Sequence, residues 1–249
     1  MARSSYTASN TWHGITRPGP GALLISELFG PTLQGEGPHS GTTATFLRLG
    51  ACNLRCEWCD TAYTWNSERF DLRDELSVVP TLEVLRDIIA RGADTVVLTG
   101  GEPALQADQL APLALKLREA GHSVHVETSG TVALGPLLPA ADIVVVSPKL
   151  RHSGMSSRVR LRLNVLLTLA AAEQTVFKFV ARDLSDLDEI DLIVAALDLA
   201  PGRVWVMPEG TTEVAVLEGM RLLAEPVAAR GWSLSGRLQI LLWGDVRGR

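Results

Sequence analysis

All three cysteines of this 249-residue chain fall within eight positions, in the stretch "RLGACNLRCEWCDTAYTW": Cys52, Cys56 and Cys59. Few features constrain a fold more, because thiols this close must share one loop and one task. A disulfide framework is disfavoured by the odd count, the tight spacing and the absence of an export signal. A thioredoxin-type reading of Cys56-Glu57-Trp58-Cys59 would leave Cys52 idle. A closed structural zinc site wants a fourth ligand, and the nearest histidine, His39, lies well upstream in a glycine-rich loop.

An iron–sulfur cluster normally takes four thiolates. With three in the spacing C-x3-C-x2-C, one iron of a [4Fe–4S] cubane stays open for a non-protein ligand. The amino and carboxylate groups of S-adenosylmethionine suit that position. At this loop the sequence resembles the radical S-adenosylmethionine enzymes.

The rest of the chain is compatible with a large enzyme domain. It is 46% apolar, enough for a full core, and no segment has the uninterrupted apolar length of a membrane span. Residues 1–22 are polar and rich in Ser, Thr, Pro and Gly, without the apolar centre of a signal peptide. They read as a flexible lead-in to a single domain over 23–249 in a cytoplasmic protein. A formal net charge of −5 argues against a nucleic-acid surface. The one basic run, "RHSGMSSRVRLR" (Arg151–Arg162), reads as a solvated, mobile loop, with anion binding as the alternative.

Strand-like segments ("TATFLRLG", "DTVVLTGGEP", "HSVHVETSG", "DIVVVSPK", "TVFKFV", "RVWVMPEG") alternate with helical ones such as "LEVLRDIIARG", with Gly92 as C-cap. "LQADQLAPLALKLREAG" reads as a helix with Pro112 near its start, and the terminal "RLQILLWGDVRGR" as a last strand and a basic tail. This alternation predicts a parallel α/β sheet with right-handed crossovers. Helices are fewer than strands, so the expected fold is an incomplete (β/α) barrel of the radical S-adenosylmethionine type, with some helices reduced. The polar motifs each follow a strand, which places them on the rim where such barrels build active sites.

On that rim, Gly100 and Gly101 of "TGGEP" let backbone approach a ligand, and Glu102 could accept a hydrogen bond from an ammonium group. Glu127 of "ETSG" could bind a ribose or cap the next helix. His122 and His125 alternate along one strand and need no cause beyond packing. Upstream, "LFGPTLQGEGPHSG" (Leu28–Gly41) reads as a loop able to fold over a polar ring, with Gln34 offering a donor and an acceptor to a pterin or guanine edge.

Taken in order, "LQGEG", "FLRLGACNLRCEWCDTAYTW", "TGGEP", "ETSG", "SPK" and "MPEG" resemble the 7-carboxy-7-deazaguanine synthase family, over roughly Ile25 to Gly210. The resemblance implies conversion of 6-carboxytetrahydropterin to 7-carboxy-7-deazaguanine with loss of ammonia, on the route to queuosine and related 7-deazapurines. It implies a [4Fe–4S] cluster on Cys52, Cys56 and Cys59, and S-adenosylmethionine held by Trp58, Cys59, Asp60, Gly101 and the turn Ser147-Pro148-Lys149. The pterin would be held by Leu33, Gln34, Gly35, Arg48 and Thr99, and Mg²⁺ by the Thr61 hydroxyl. A homodimer and an external one-electron donor such as flavodoxin are implied as well. Family members can use the C-terminal carboxylate on substrate, whereas this chain ends in "DVRGR", so the reach of Arg249 is an open question. The rival readings are another radical S-adenosylmethionine enzyme, such as a glycyl-radical activase, and a non-catalytic iron–sulfur or zinc protein.

Overall fold

The computed structural model describes residues 11, 12 and 15–249. The chain begins with a small antiparallel pair, β1 (Thr11–Trp12) and β2 (Ile15–Thr16). Of the lead-in expected over 1–22, residues 1–10, 13 and 14 lie outside the described residues. Trp12 is buried against Leu24 and Ala51.

One nine-stranded sheet carries the rest. Its strands are β3 (Ala22–Leu33), β4 (Thr43–Leu49), β5 (Ser77–Pro80), β6 (Thr95–Gly100), β7 (Ser123–Thr128), β8 (Ile143–Val146), β9 (Thr175–Ala181), β10 (Val204–Pro208) and β11 (Ser233–Leu234). They lie in the order β11-β10-β9-β8-β7-β6-β4-β3-β5. From β4 to β11 every neighbouring pair is parallel, while β3 runs antiparallel to both β4 and β5. Among the described residues no ladder joins β11 to β5, so the sheet is an open, mostly parallel α/β layer, as an incomplete barrel requires.

The helices are α1 (Leu72–Glu75), α2 (Thr81–Arg91), α3 (Ala107–Glu119), α4 (Leu137–Ala140), α5 (Ser157–Arg160), α6 (Leu163–Ala170), α7 (Ser185–Leu197), α8 (Glu213–Ala229) and α9 (Leu238–Trp243). The crossover from β7 to β8 holds only the single turn of α4, one of the reduced helices anticipated from the sequence. Helix α2 buries Val84 and Ile88, four apart on one face, and ends at Gly92, which is left-handed at φ 73°. Helix α8 opens on Thr212, whose hydroxyl accepts the amide N–H of Ala215, the third residue of the helix. The main core lies between sheet and helices, around Leu47, Leu98, Leu110, Phe177 and Phe179.

Four local expectations are corrected. The C-terminal "LQILLW" is helix α9, not a strand; a short apolar run does not declare its period. Its N-terminus is fixed by Leu238 N–H donating to Gly35 C=O at 2.9 Å. Helix α3 starts at Ala107, two residues later than expected, because residues 103–106 form a separate 3-10 turn, and Pro112 is its sixth residue. The costs of Pro112 are offset by the buried faces of Leu110, Leu113 and Leu117. The basic run is no mobile loop: it contains a 3-10 turn and α5, and Arg160 is buried, paired with Glu189 at 2.6 Å and donating to Lys149 C=O. Lastly, Leu28–Leu33 of the segment read as a loop over Leu28–Gly41 belongs to β3.

Candidate functional site

The C-terminal ends of β4, β6, β7, β8 and β10 open onto one cavity of about 480 Å³. Its wall includes Leu33, Gln34, Gly35, Arg48, Cys52, Cys56, Trp58, Cys59, Asp60, Thr61, Thr99, Gly101, Ser147 and Lys149. Every site residue anticipated from the sequence is therefore brought together there except Pro148. Arg249 also reaches the wall.

The thiol loop is shaped by backbone. Ala51 takes a left-handed φ of 69°, donates its N–H to Thr64 C=O at 2.8 Å and accepts Glu102 N–H at 2.9 Å. Gly101 lies so close that a Cβ there would stand 1.8 Å from the Ala51 carbonyl oxygen. The "TGGEP" turn thus needs glycine to seat against the cysteine loop itself. Leu54 of this loop is buried, and Glu57 N–H donates to Ser153 C=O at 3.2 Å.

The three thiols are free and partly buried. Cys52 accepts from Leu54 N–H and Cys59 from the indole N–H of Trp65, both at 3.4 Å. Burial pushes the Cys52 thiol up, and the Glu102 carboxylate adds to it; burial likewise raises Cys56 although Lys149 opposes. Such thiols ionise when a metal draws them out. Among the described residues, no three Cys, His, Asp or Glu side chains converge as one bound metal ion would need. Three thiols lining one cavity suit a cubane, which takes one thiolate per iron. The Trp58 indole N–H is buried with no hydrogen-bond partner among the described residues, an unpaired donor on a residue of this wall.

Opposite lies a polar wall. Glu127 accepts from Thr99 Oγ1 at 2.8 Å and from Gln34 Nε2 at 3.2 Å, so both expected pterin residues hang on one carboxylate. Arg48 is engaged through Nε by Glu27 at 2.8 Å, which leaves its Nη groups for a ligand. Glu36 pairs with Lys178 at 2.6 Å and Arg237 at 3.0 Å, and accepts from Gln239 Nε2 at 2.7 Å. Burial alone would raise the Glu36 carboxyl, but Lys178 and Arg237 overcome it and hold the group well below the usual carboxylate range. Burial would lower Lys178; Glu36 and Glu127 raise it instead. Glu36 and Lys178 thus neutralise each other within the wall.

Glu102 does not face a ligand as the sequence suggested. It is fully buried and accepts from Thr128 Oγ1, Ser129 N–H, Ser129 Oγ and Ala104 N–H. His122 bonds Ala93 C=O and His125 bonds Ser123 Oγ, both packing roles as expected. His39 packs against His125 with the rings tilted and their centroids 4.5 Å apart, and is no thiol partner. Glu36, Lys178, Arg237 and Gln239 were not singled out as site residues. Lys178 did carry a signal: a lone cation inside "TVFKFVA" must find a counter-charge if the strand is buried. Arg237 and Gln239 carried none.

The Radical SAM superfamily model matches residues 48–148, the span from Arg48 through the thiol loop to Pro148. The 7-carboxy-7-deazaguanine synthase of Rhodopirellula baltica is 38% identical, over 94% of this chain and 92% of its own length. That of Pyrobaculum aerophilum is 35% identical, over 91% and 97%. The chain belongs to the 7-carboxy-7-deazaguanine synthase family. The crystal structure of QueE from Escherichia coli superimposes with a TM-score of 0.67 at 30% identity, covering 86% of this chain and 93% of that one. The similarity therefore extends across the sheet, and the cavity just described is the candidate active site of this chain.

Proposed function

We propose that this chain is a radical S-adenosylmethionine lyase that converts 6-carboxy-5,6,7,8-tetrahydropterin to 7-carboxy-7-deazaguanine with loss of ammonia, in 7-deazapurine (queuosine precursor) biosynthesis. The observation that carries this reading is near full-length similarity to 7-carboxy-7-deazaguanine synthases. When bound, a [4Fe–4S] cluster with S-adenosylmethionine supplies one-electron cleavage chemistry and hydrogen abstraction.

The chain's own residues would position the reactants. Cys52, Cys56 and Cys59 would hold the cluster. Trp58, Cys59, Asp60, Gly101, Ser147 and Lys149 would hold S-adenosylmethionine, with Pro148 fixing the turn between the last two. Gln34 and Thr99, both bonded to Glu127, would meet the pterin edge, beside Leu33 and Gly35. Arg48 would take the substrate carboxylate through its Nη groups. Mg²⁺ at Thr61 belongs to the same proposal: one hydroxyl is a weak ligand, so substrate oxygens and waters would have to complete its shell. So do a homodimer, a flavodoxin-type donor and a cytoplasmic setting where thiols stay reduced. Among the described residues no helix is long and apolar enough to cross a membrane.

Anaerobic incubation of reconstituted protein with the carboxypterin, S-adenosylmethionine, Mg²⁺ and dithionite, followed by mass spectrometry, tests the reading. The expected result is 7-carboxy-7-deazaguanine. Cleavage of S-adenosylmethionine without that product would move the chain to another radical chemistry; no cleavage at all would leave an electron carrier or metal-binding protein.

A further inference from the structure

We infer that Glu209, held beside the buried pair His152–Asp186, selects the exocyclic amino group of the adenine of S-adenosylmethionine. The inference deepens the proposed function and rests on its assignment of that cofactor to Trp58, Ser147 and Lys149. It concerns which nucleobase the site accepts.

Among the described residues, the carboxylates on the cavity wall are Glu36, Asp60, Glu127 and Glu209. The first three have hydrogen-bond donors of their own: Lys178 and Gln239 for Glu36, Arg237 for Asp60, Thr99 and Gln34 for Glu127. Glu209 differs. Its backbone is fixed just past β10, where its N–H donates to Ala181 C=O at 2.9 Å. Its Oε2 is buried, yet has no hydrogen-bond partner among the described residues. The side chain is 28% exposed, so the carboxylate is not sealed into the core. Next to Oε2 lies His152, whose side chain is only 1% exposed. Its Nδ1 bonds Asp186 at 3.1 Å, and Asp186 is itself fixed by Arg182 N–H at 2.7 Å. A carboxylate can only accept, so Nδ1 carries the ring proton and Nε2 of the neutral ring is an acceptor. That Nε2 stands 3.5 Å from Glu209 Oε2 and has no hydrogen-bond partner either. Two buried acceptors thus adjoin with no donor shared between them, which costs free energy until a donor arrives.

Where this gap lies indicates the donor. His152 packs against Trp58 with ring centroids 5.5 Å apart, and Lys149 Nζ lies 5.3 Å from the centre of the same indole. Trp58 and Lys149 belong to the proposed S-adenosylmethionine side, whereas the pterin residues Gln34 and Thr99 gather on Glu127. Adenine carries two amino N–H donors beside a ring nitrogen that accepts. Trp58 supplies an indole N–H without a partner among the described residues, and Glu209 an acceptor without a donor, the complement of that edge. A 6-oxo purine places an oxygen where adenine has its amino group, adding a third acceptor to the first two. A site that leaves buried polar groups unpaired with an analogue rejects it.

Anaerobic calorimetric titration of reconstituted holoenzyme with S-adenosylhomocysteine, and with its 6-oxo analogue S-inosylhomocysteine, tests this. Wild type should bind the adenosyl ligand about ten- to a hundredfold more tightly, the worth of one hydrogen bond to a charged group. Glutamine can donate to a 6-oxo group as well as accept from an amino group. In Glu209→Gln the two affinities should therefore converge to within about threefold. His152→Phe keeps a ring against Trp58 but removes the second acceptor, and should narrow the gap as well. Equal Kd values for the two ligands in wild type, or binding of neither, overturn the inference. So does an equal loss of both ligands in Glu209→Gln, the result for a contact that merely holds the end of β10. An unchanged ligand ratio in Glu209→Gln with a raised KM for the carboxypterin also overturns it, assigning Glu209 to the pterin's amino group. If the holoenzyme makes no 7-carboxy-7-deazaguanine, the proposed reaction has failed, while the ratio of the two titrations still decides the role of Glu209.

Discussion

Arg237 Nη2 donates to Asp60 Oδ2 at 2.5 Å, joining residues 177 positions apart in the chain. The same guanidinium holds Glu36 through Nε at 3.0 Å and Gly210 C=O through Nη1 at 2.6 Å. Asp60 follows Cys59 on the thiol loop, and Glu36 follows Gly35 on the opposite wall, so one planar fork fixes the spacing between the two halves of the cavity. Lysine cannot reproduce three divergent bonds from a rigid fork. Arg237→Lys should lower kcat/KM by about ten- to a hundredfold, the loss of one or two charge-assisted hydrogen bonds, while iron content stays normal. Steady-state kinetics beside an iron assay checks it, and wild-type kinetics would show that the fork is dispensable.

Gly101 predicts a purely steric failure. Its φ is not in the left-handed region, so alanine would suffer only from space. That space is absent, with the Ala51 carbonyl oxygen 1.8 Å and its carbon 2.5 Å from the added Cβ. Both partners are backbone, so relief must break Gly101 N–H to Leu49 C=O or Glu102 N–H to Ala51 C=O. Gly101→Ala should therefore lower the unfolding midpoint and cut iron retention together, at a cost of about 1–3 kcal/mol or more. Gly202→Ala, with nothing within 4 Å, is the control that should do neither.

Glu102→Gln tests whether that carboxylate is architectural. Four donors converge on its two oxygens, and glutamine offers one oxygen and an NH₂ that cannot accept. Donors left without an acceptor in a fully buried site should cost about 1–3 kcal/mol each. The urea midpoint reads this directly. An unchanged midpoint with weakened S-adenosylmethionine binding would restore the ligand role the sequence suggested.

A pH dependence follows from His125. Burial chiefly, then the neighbouring His39, lowers its imidazole to about 4 from 6.5. The folded chain keeps it neutral while the unfolded chain protonates it, so its contribution to stability is complete above pH 6.5 and is lost as pH falls towards 4. His125→Gln should flatten the plot of unfolding free energy against pH in that window. Parallel curves for variant and wild type between pH 4 and 6.5 would remove His125 as the cause.

The thiol loop and the strand-end motifs were legible because each is local: a spacing, a glycine pair or a turn lies within a few residues. The polar wall was not, because its bonds join residues far apart; Lys178 and Glu36 are 142 positions apart and Gln239 and Glu36 are 203 apart. Glu102 was misread for a related reason. Its motif placed it on the rim, but only the register of β6 beside β7 shows that Thr128 and Ser129 surround it. Helix α9 was misread as a strand because its apolar run is too short to show a period, and its position depends on the Leu238–Gly35 bond.

The open question at the C-terminus yields the last prediction. Arg249 lines the cavity, and the residue that brings it there is Arg247. The Arg247 guanidinium bonds Glu27 through Nε, pairs with Glu75 at 2.7 Å and lies 4.0 Å from the centre of the Tyr63 ring. Tyr63 in turn donates to Glu27 at 3.0 Å, and Glu27 is the partner of Arg48. The tail is thus pinned outside the cavity, two residues before its end, by the carboxylate that also steadies Arg48. An exposed ion pair alone is worth little, but a fork on two carboxylates with a ring beneath it is a network, and exposed cation–π contact adds about 0.5–1 kcal/mol. Releasing it should free the end of the chain and loosen Arg48 without touching the thiols. Arg247→Ala should raise KM for the carboxypterin several-fold, with kcat and iron content little changed, and Glu75→Gln should do the same more weakly. Deleting residues 247–249 should not exceed the Arg247→Ala defect if pinning is the tail's whole contribution, and a much larger loss would assign direct substrate contact to Arg249. An unchanged KM in both point variants would show that the tail has no part in binding.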